Sequence, residues 1–291
     1  MTTVGFVGLG SMGLPMARNL VSRGYDVRGY DMRSAPGETL AKAGGTVAGS
    51  SADAARGADV LVLMVVSAAQ AEAVLFADGA LDTLAPQATV ILMATCAPRA
   101  VEEIAGRVTT SGRGFIDAPV SGGARGAETA TLTIMAAAPG PVMEKCRKLL
   151  EALGDKLFHV GEKPGQGATV KTVNQLLCGV HIAAAAEAFA LASKVGVDTK
   201  VMLDILGGSA ASSWMLRDRG PRMLERDPAV TSSVDIFVKD LGLVLEAGRD
   251  ARTALPLAAA AHQMFVCTSG RGDGAADDSQ VIRAYRLLNG K

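Results

Sequence analysis

The chain has no excess of charge of either sign: Lys plus Arg and Asp plus Glu number 29 each among 291 residues. A balanced chain has no bulk attraction to nucleic acid or to an anionic membrane, so any ligand must be held by a local site. Cysteine is scarce, and Cys96, Cys146, Cys178 and Cys267 are scattered, with no C-x-x-C pair and no histidine placed to complete a zinc set. That spacing excludes a zinc set; the four read as reduced, mostly buried thiols, and no metal is expected. Met1 leads straight into a strand-like VGFVG without a basic leader, a long apolar segment or an Arg-rich transit stretch, which makes the cytoplasm the expected compartment. No tandem repeat, low-complexity tail or membrane span is read either. With 49% hydrophobic and 20% charged residues, what remains is an ordinary folded chain long enough for two domains.

What is present begins at Val4. A short apolar run meets GLGSMG, then a helix-like LPMARNLVSRG, then a second strand candidate ending in Asp31. The glycines Gly8-x-Gly10-x-x-Gly13, with Leu9, Ser11 and Met12 between them, suit a dinucleotide for three reasons: a tight turn, close approach of backbone to pyrophosphate, and close packing of helix on strand. The helix start then offers free N–H groups to the phosphates. Asp31, followed by Met32, can accept the two ribose hydroxyls and would repel a 2′-phosphate, favouring NAD over NADP; Arg33 nearby would compensate such a phosphate. Strand and helix patterns go on alternating: strands near 46–48, 59–66 and 89–93, the middle one continuously apolar as in a parallel sheet covered on both faces. Val65 and Val66 then fall at one carboxyl end and Thr95 at another, where open sheets bind cofactors.

A further strand from Gly114 runs into Ser121-Gly122-Gly123. That sequence exposes backbone N–H groups and one hydroxyl without obstructing side chains, good chemistry for a carboxylate; the alternative is a glycine turn with no ligand. After two more strands in TLTIMAAA and KLFHV, no strand pattern returns. The expected organisation is a mostly parallel Rossmann-type α/β domain over 1–163 and an all-α domain over 164–291, joined by a long helix at about 166–195. In that helix Lys171, Asn174 and Gln175 share one face by i, i+3, i+4 spacing. Lys171 is either a solvated lysine at a wet helix end or, given the dinucleotide site upstream, an acid/base group. Asp240 beside Lys239 reads as one member of a helix-surface pair, and Asp277-Asp278-Ser279 as the cap of a final helix.

With GFVGLGSMG, DAPVSGG, GQGATVKTVNQ and VKDLGL in this order and spacing, the chain resembles the β-hydroxyacid dehydrogenase family over essentially its full length. The resemblance implies hydride transfer between NAD and a small hydroxy acid. It makes Lys171 the catalytic lysine, Ser121, Gly122 and Gly123 contacts of the substrate carboxylate, and Asn174 a further substrate contact. Thr95 and Lys239 become cofactor neighbours. Gln175 stands where many members carry a second Asn, so a longer amide reaches the same space. Ala-rich helices such as AAAAEAFALA and PLAAAAHQMF offer apolar area for a homodimer or homotetramer.

Overall fold

A computed structural model describes residues 1–290. The chain forms two compact units, Met1–Lys171 and Thr172–Lys291. The first opens with β1 (Thr3–Val7), α1 (Gly13–Ser22), β2 (Asp26–Tyr30), α2 (Ser34–Lys42), β3 (Thr46–Val47), α3 (Ser51–Ala55) and β4 (Val60–Leu63). It continues through α4 (Ala68–Glu72) with a π-helical turn at Ala73–Ala77, α5 (Ala80–Thr83), β5 (Thr89–Leu92), α6 (Pro98–Thr110) and β6 (Gly114–Asp117). Then follow β7 (Val120–Ser121), α7 (Gly123–Glu128), β8 (Thr133–Ala137), α8 (Gly140–Glu151) and β9 (Lys156–Gly161). The strands make one sheet in the order β3-β2-β1-β4-β5-β6-β8-β7, with β9 on β8. Strands β1 to β6 pair in parallel, whereas β8 runs antiparallel to β6 and β7. The run 3-2-1-4-5-6 is the doubly wound dinucleotide fold, whose order reverses between β1 and β4.

Successive residues of the central strands face opposite sides of the sheet. Val62, Ile91 and Ile116 enter one buried cluster, and Leu61, Leu63, Val90, Leu92 and Phe115 the other. Helices cover both faces, which is why these strands read as unbroken apolar runs. Helix α2 does not stand out in the sequence because Ser-Ala-Pro-Gly reads as a loop. Pro36 is tolerated there because it lies in the first turn, where its missing N–H has no intrahelical partner to lose.

The long helix α9 (Gln166–Lys194) carries the chain into the second unit. There follow α10 (Thr199–Gly208), α11 (Trp214–Met223), α12 (Val234–Asp250), α13 (Pro256–Thr268), a 3₁₀ turn at Asp278–Val281 and α14 (Ile282–Leu288). By length and a hydropathy of 1.7, α9 could cross a membrane, but half of its apolar window is buried inside the fold. Its inward stripe, Ile182, Ala186 and Phe189 at i, i+4, i+7, is fully buried and makes it a core helix. On the outward side Val173, Leu177, Leu191 and Val195 are each at least half exposed.

Asp277 and Asp278 do more than cap. The Asp277 side chain accepts the Ser279 N–H, as expected of a cap, yet it also accepts the Thr231 N–H at 2.9 Å and Arg222 Nε at 3.0 Å. Asp278, fully buried, receives Arg219 in a fork: Nε to Oδ1 at 2.9 Å and Nη2 to Oδ2 at 2.8 Å. Burial works against the charged guanidinium, but the carboxylates of Asp278 and Asp218 outweigh it and hold Arg219 above its ordinary value.

Candidate active site

The carboxyl ends of the first strands lie level, with Val7 opposite Tyr30 on one side and Leu63 on the other. Gly8 continues both ladders: its N–H donates to Tyr30 O at 2.9 Å, and Met64 N–H donates to Val7 O at 2.9 Å. At φ 93° Gly8 is in the left-handed region, and a Cβ there would strike the Met64 carbonyl. A Cβ at Gly13 would in turn strike the Gly8 carbonyl, because α1 starts directly against β1. Gly8 and Gly13 are therefore required by the close approach of the turn to its own backbone, whereas a Cβ at Gly10 would meet nothing nearer than Arg33 Nη2 at 4.0 Å. Met12 supplies no side-chain cap to α1; within the turn the Leu14 N–H donates to Gly10 O at 3.1 Å, and Pro15 has no N–H to satisfy. Gly13→Ala is expected to weaken NADH binding by roughly 10- to 100-fold, about 1.4–2.7 kcal/mol, measured by fluorescence titration.

Asp31 closes this turn. Its Oδ2 accepts the Leu9 N–H at 2.9 Å, while its Oδ1 accepts the Arg33 N–H and Nε, both at 3.0 Å. Burial alone would raise the carboxyl, but the bonds from Arg33 and Leu9 outweigh it and leave Asp31 below its ordinary value. It is thus an anion throughout the neutral range. Leu9 is buried, Ser11 exposed, and Met32 exposed beyond Asp31. At the end of β4 the Val66 N–H donates to Gln70 Oε1 at 2.9 Å, which sets the 65–67 turn above α4. Thr95 follows β5, half-buried beside buried Cys96.

Ser121 ends β7 opposite Thr133 of β8, so the Ser-Gly-Gly segment is a strand-to-helix link rather than a free turn. Gly122 and Gly123, at φ 131° and 61°, redirect the backbone there. Lys171 is only 6% exposed, so the solvated-lysine alternative does not hold. In the second unit, Asn174 is half-buried and accepts Cys178 Sγ at 3.7 Å. Gln175 is buried and donates its amide to Asp240 Oδ2 at 2.5 Å, and Lys239 Nζ lies 2.8 Å from Asp240 Oδ1. Asp240 is itself 3% exposed, which corrects its reading as a surface pair: it is a buried anion orienting Gln175.

One residue in this region had no signal of its own. Asp117 ends β6 at 1% exposure, and its Oδ2 accepts the N–H groups of Gly165 and Ala168, each at 2.9 Å. Burial pushes its carboxyl up to about 6, with the N–H groups of Ala168, Gly165 and Gly167 holding it down against that. A raised carboxyl contributes stability fully below the unfolded value of 3.8 and loses it as pH rises through about 6. At about 1.4 kcal/mol per pH unit, that is on the order of 3 kcal/mol. Urea unfolding at pH 4.5 and 7.5 is expected to show wild type gaining more on acidification than Asp117→Asn, which lacks this titration.

A doubly wound fold with a glycine turn after β1, an acid after β2 and a buried lysine in α9 fits one class, the NAD-dependent hydroxyacid dehydrogenases. Residues 3–161 match the NAD binding domain of 6-phosphogluconate dehydrogenase, and residues 165–285 match the NAD-binding domain of NADP-dependent 3-hydroxyisobutyrate dehydrogenase. The chain belongs to the β-hydroxyacid dehydrogenase family, to which 3-hydroxyisobutyrate dehydrogenase also belongs. It is 43% identical to L-threonate dehydrogenase of Cupriavidus necator over 97% of this chain and 95% of that one. It is 41% identical to L-threonate dehydrogenase of Escherichia coli K12, over 97% and 94%. Among solved structures, 3-hydroxyisobutyrate dehydrogenase from Salmonella typhimurium superposes with a TM-score of 0.93 at 40% identity, covering 97% of this chain and 99% of that one.

Proposed function

We propose that this enzyme oxidises L-threonate at C2 to the 2-oxo acid, in the cytoplasm, with Lys171 as the base. The observation that carries the substrate is the 43% identity to an L-threonate dehydrogenase along nearly the whole of both chains. Bound NAD supplies the hydride acceptor. The residues that would hold it are Gly8 to Gly13 at the pyrophosphate and Asp31 with Met32 at the ribose, with Val65, Val66, Thr95 and Lys239 as neighbours. Asp31 disfavours NADP, because an anion held below its ordinary value repels a 2′-phosphate and already engages the nearby cation, Arg33.

For the substrate, Ser121 with the N–H groups of Gly122 and Gly123 receives the carboxylate, and Asn174 with Gln175 receives its hydroxyl groups. The Gln175 amide nitrogen is turned to Asp240, which leaves its carbonyl oxygen to accept from a hydroxyl. Lys171 Nζ takes the C2 hydroxyl proton as the hydride departs and returns it in the reverse direction.

A panel of 2- and 3-hydroxy acids with NAD⁺ and NADP⁺, followed as reduced cofactor, tests this reading: L-threonate with NAD⁺ is expected to give the highest kcat/KM. The second reading, 3-hydroxyisobutyrate or a semialdehyde of the tartronate type, is favoured by the Salmonella likeness and would appear as a different leading acid in the same panel.

The assembly we propose is a homodimer or homotetramer. Its support is the outward side of α9, where Val173, Leu177 and Leu191 lie 4 and 14 residues apart, about one and four helical turns, with exposures of 50–62%. Light scattering at micromolar concentration is expected to give a dimer or tetramer mass, and a monomer would remove the proposal.

A further inference from the structure

The start of α9 is poorly specified by its own sequence. Lys163, Pro164, Gly165 and Gln166 include no Ser, Thr, Asp or Asn whose side chain could cap the helix, although the first turn of any helix leaves N–H groups without intrahelical partners. Gln166 satisfies one nearby group, accepting the Lys163 N–H at 2.9 Å. The N–H groups of Gly165 and Ala168 go instead to Asp117, a carboxylate 48 and 51 residues away in the chain. The Gly167 N–H helps to hold this carboxyl down against burial.

The same contact has a steric side. A Cβ at Gly167 would lie 2.5 Å from the Met135 carbonyl oxygen and 2.8 Å from that of Asp117, so the helix start is pressed onto the backbone of β8 and β6. Lys171 follows Ala168 by three residues, about one turn up the same helix. In the other direction along the chain, Ser121 follows Asp117 by four residues.

We propose that Asp117 is the positioning residue for Lys171: from the end of β6 its buried carboxylate grips the first turn of α9 and thereby sets where the lysine amine stands relative to the Ser-Gly-Gly link. The proposal rests on Lys171 being the acid/base group. A carboxylate that kept only the fold would need no relation to the reacting amine. Here it anchors the turn directly below Lys171 and stands four residues before the link that receives the substrate carboxylate. Proton transfer is sensitive to such placement, since a displacement of about 1 Å at a reacting group can reduce the rate about 100-fold.

Asp117→Ala removes both carboxylate oxygens, so the helix N–H groups now received by Oδ2 lose their acceptor. Gly167→Ala disturbs the same contact by pushing the helix start off the strands. Each variant is compared with wild type and Lys171→Ala for kcat per NADH-binding site, NADH Kd, and the deuterium isotope effect on kcat. The substrate is the acid turned over fastest in the panel, deuterated at its carbinol carbon. Both variants are expected to lose about 10- to 100-fold in kcat, keep NADH Kd within about twofold, and show a larger isotope effect because hydride transfer has become slower.

If Lys171→Ala is inactive while both variants keep kcat per site within about twofold of wild type, the positioning role is wrong and the Lys171 reading stands. A fall in NADH-binding sites with unchanged kcat per site would make Asp117 a purely structural residue, and that also overturns the proposal. If Lys171→Ala itself retains most of its kcat, the underlying reading fails instead.

Discussion

Replacing Lys171 by alanine is expected to lower kcat by about 10²- to 10⁴-fold, the span associated with loss of a general acid or base, and to leave NADH affinity within about twofold. Lys171 is 6% exposed, so it is no surface lysine whose loss would pass unnoticed. A group that acts on the hydroxyl proton interacts with the transition state more than with bound substrate. Its removal should therefore reduce kcat and kcat/KM together rather than raise KM alone. Lys171→Arg should be nearly as inactive, because a guanidinium keeps charge and bulk but does not give up its proton near neutral pH. Steady-state rates together with NADH titration check both variants. Retention of more than a tenth of wild-type kcat by the alanine variant would remove Lys171 from the mechanism.

Asp278→Ala is expected to destabilise the second unit by about 3–5 kcal/mol, measured by urea unfolding. The reason is the guanidinium left behind. Arg219 is 6% exposed and forked onto Asp278 by two bonds, so deleting the carboxylate strands most of a buried cation with only Asp218 beside it. Removing both charges should cost less than removing one. Arg219→Met with Asp278→Leu takes away the desolvated pair altogether and is expected to lie nearer wild type than either single change. If the single variant loses less than about 1 kcal/mol, the fork does not hold this unit together. Activity at low temperature should survive in folded material, since neither residue belongs to the proposed proton path.

Much of this molecule follows from local pattern. Gly8, Gly10 and Gly13 opening a helix after an apolar strand, an acid closing the next strand, and continuous apolar runs at β4 and β5 are sufficient to specify a parallel sheet with a dinucleotide turn at its switch point. The Ala-rich composition of α9 and the absence of strand alternation beyond Lys163 likewise mark out a helical second half. Each of these signals sits within a few residues of the structure it dictates, because φ preferences, side-chain period and turn chemistry act at short range.

What only the tertiary structure decided lies in pairings across long stretches of chain. Asp117 with Ala168, Arg219 with Asp278 and Gln175 with Asp240 are separated by 51, 59 and 65 residues. No spacing rule links such partners. In sequence an aspartate beside a lysine on a helix looks like one of a surface pair, as Asp240 does, and one before a final helix looks like a cap, as Asp278 does. Packing around each carboxylate changed its meaning: once water is removed, a charge must find donors wherever the fold brings them, and those donors come from elements that periodicity cannot place beside one another.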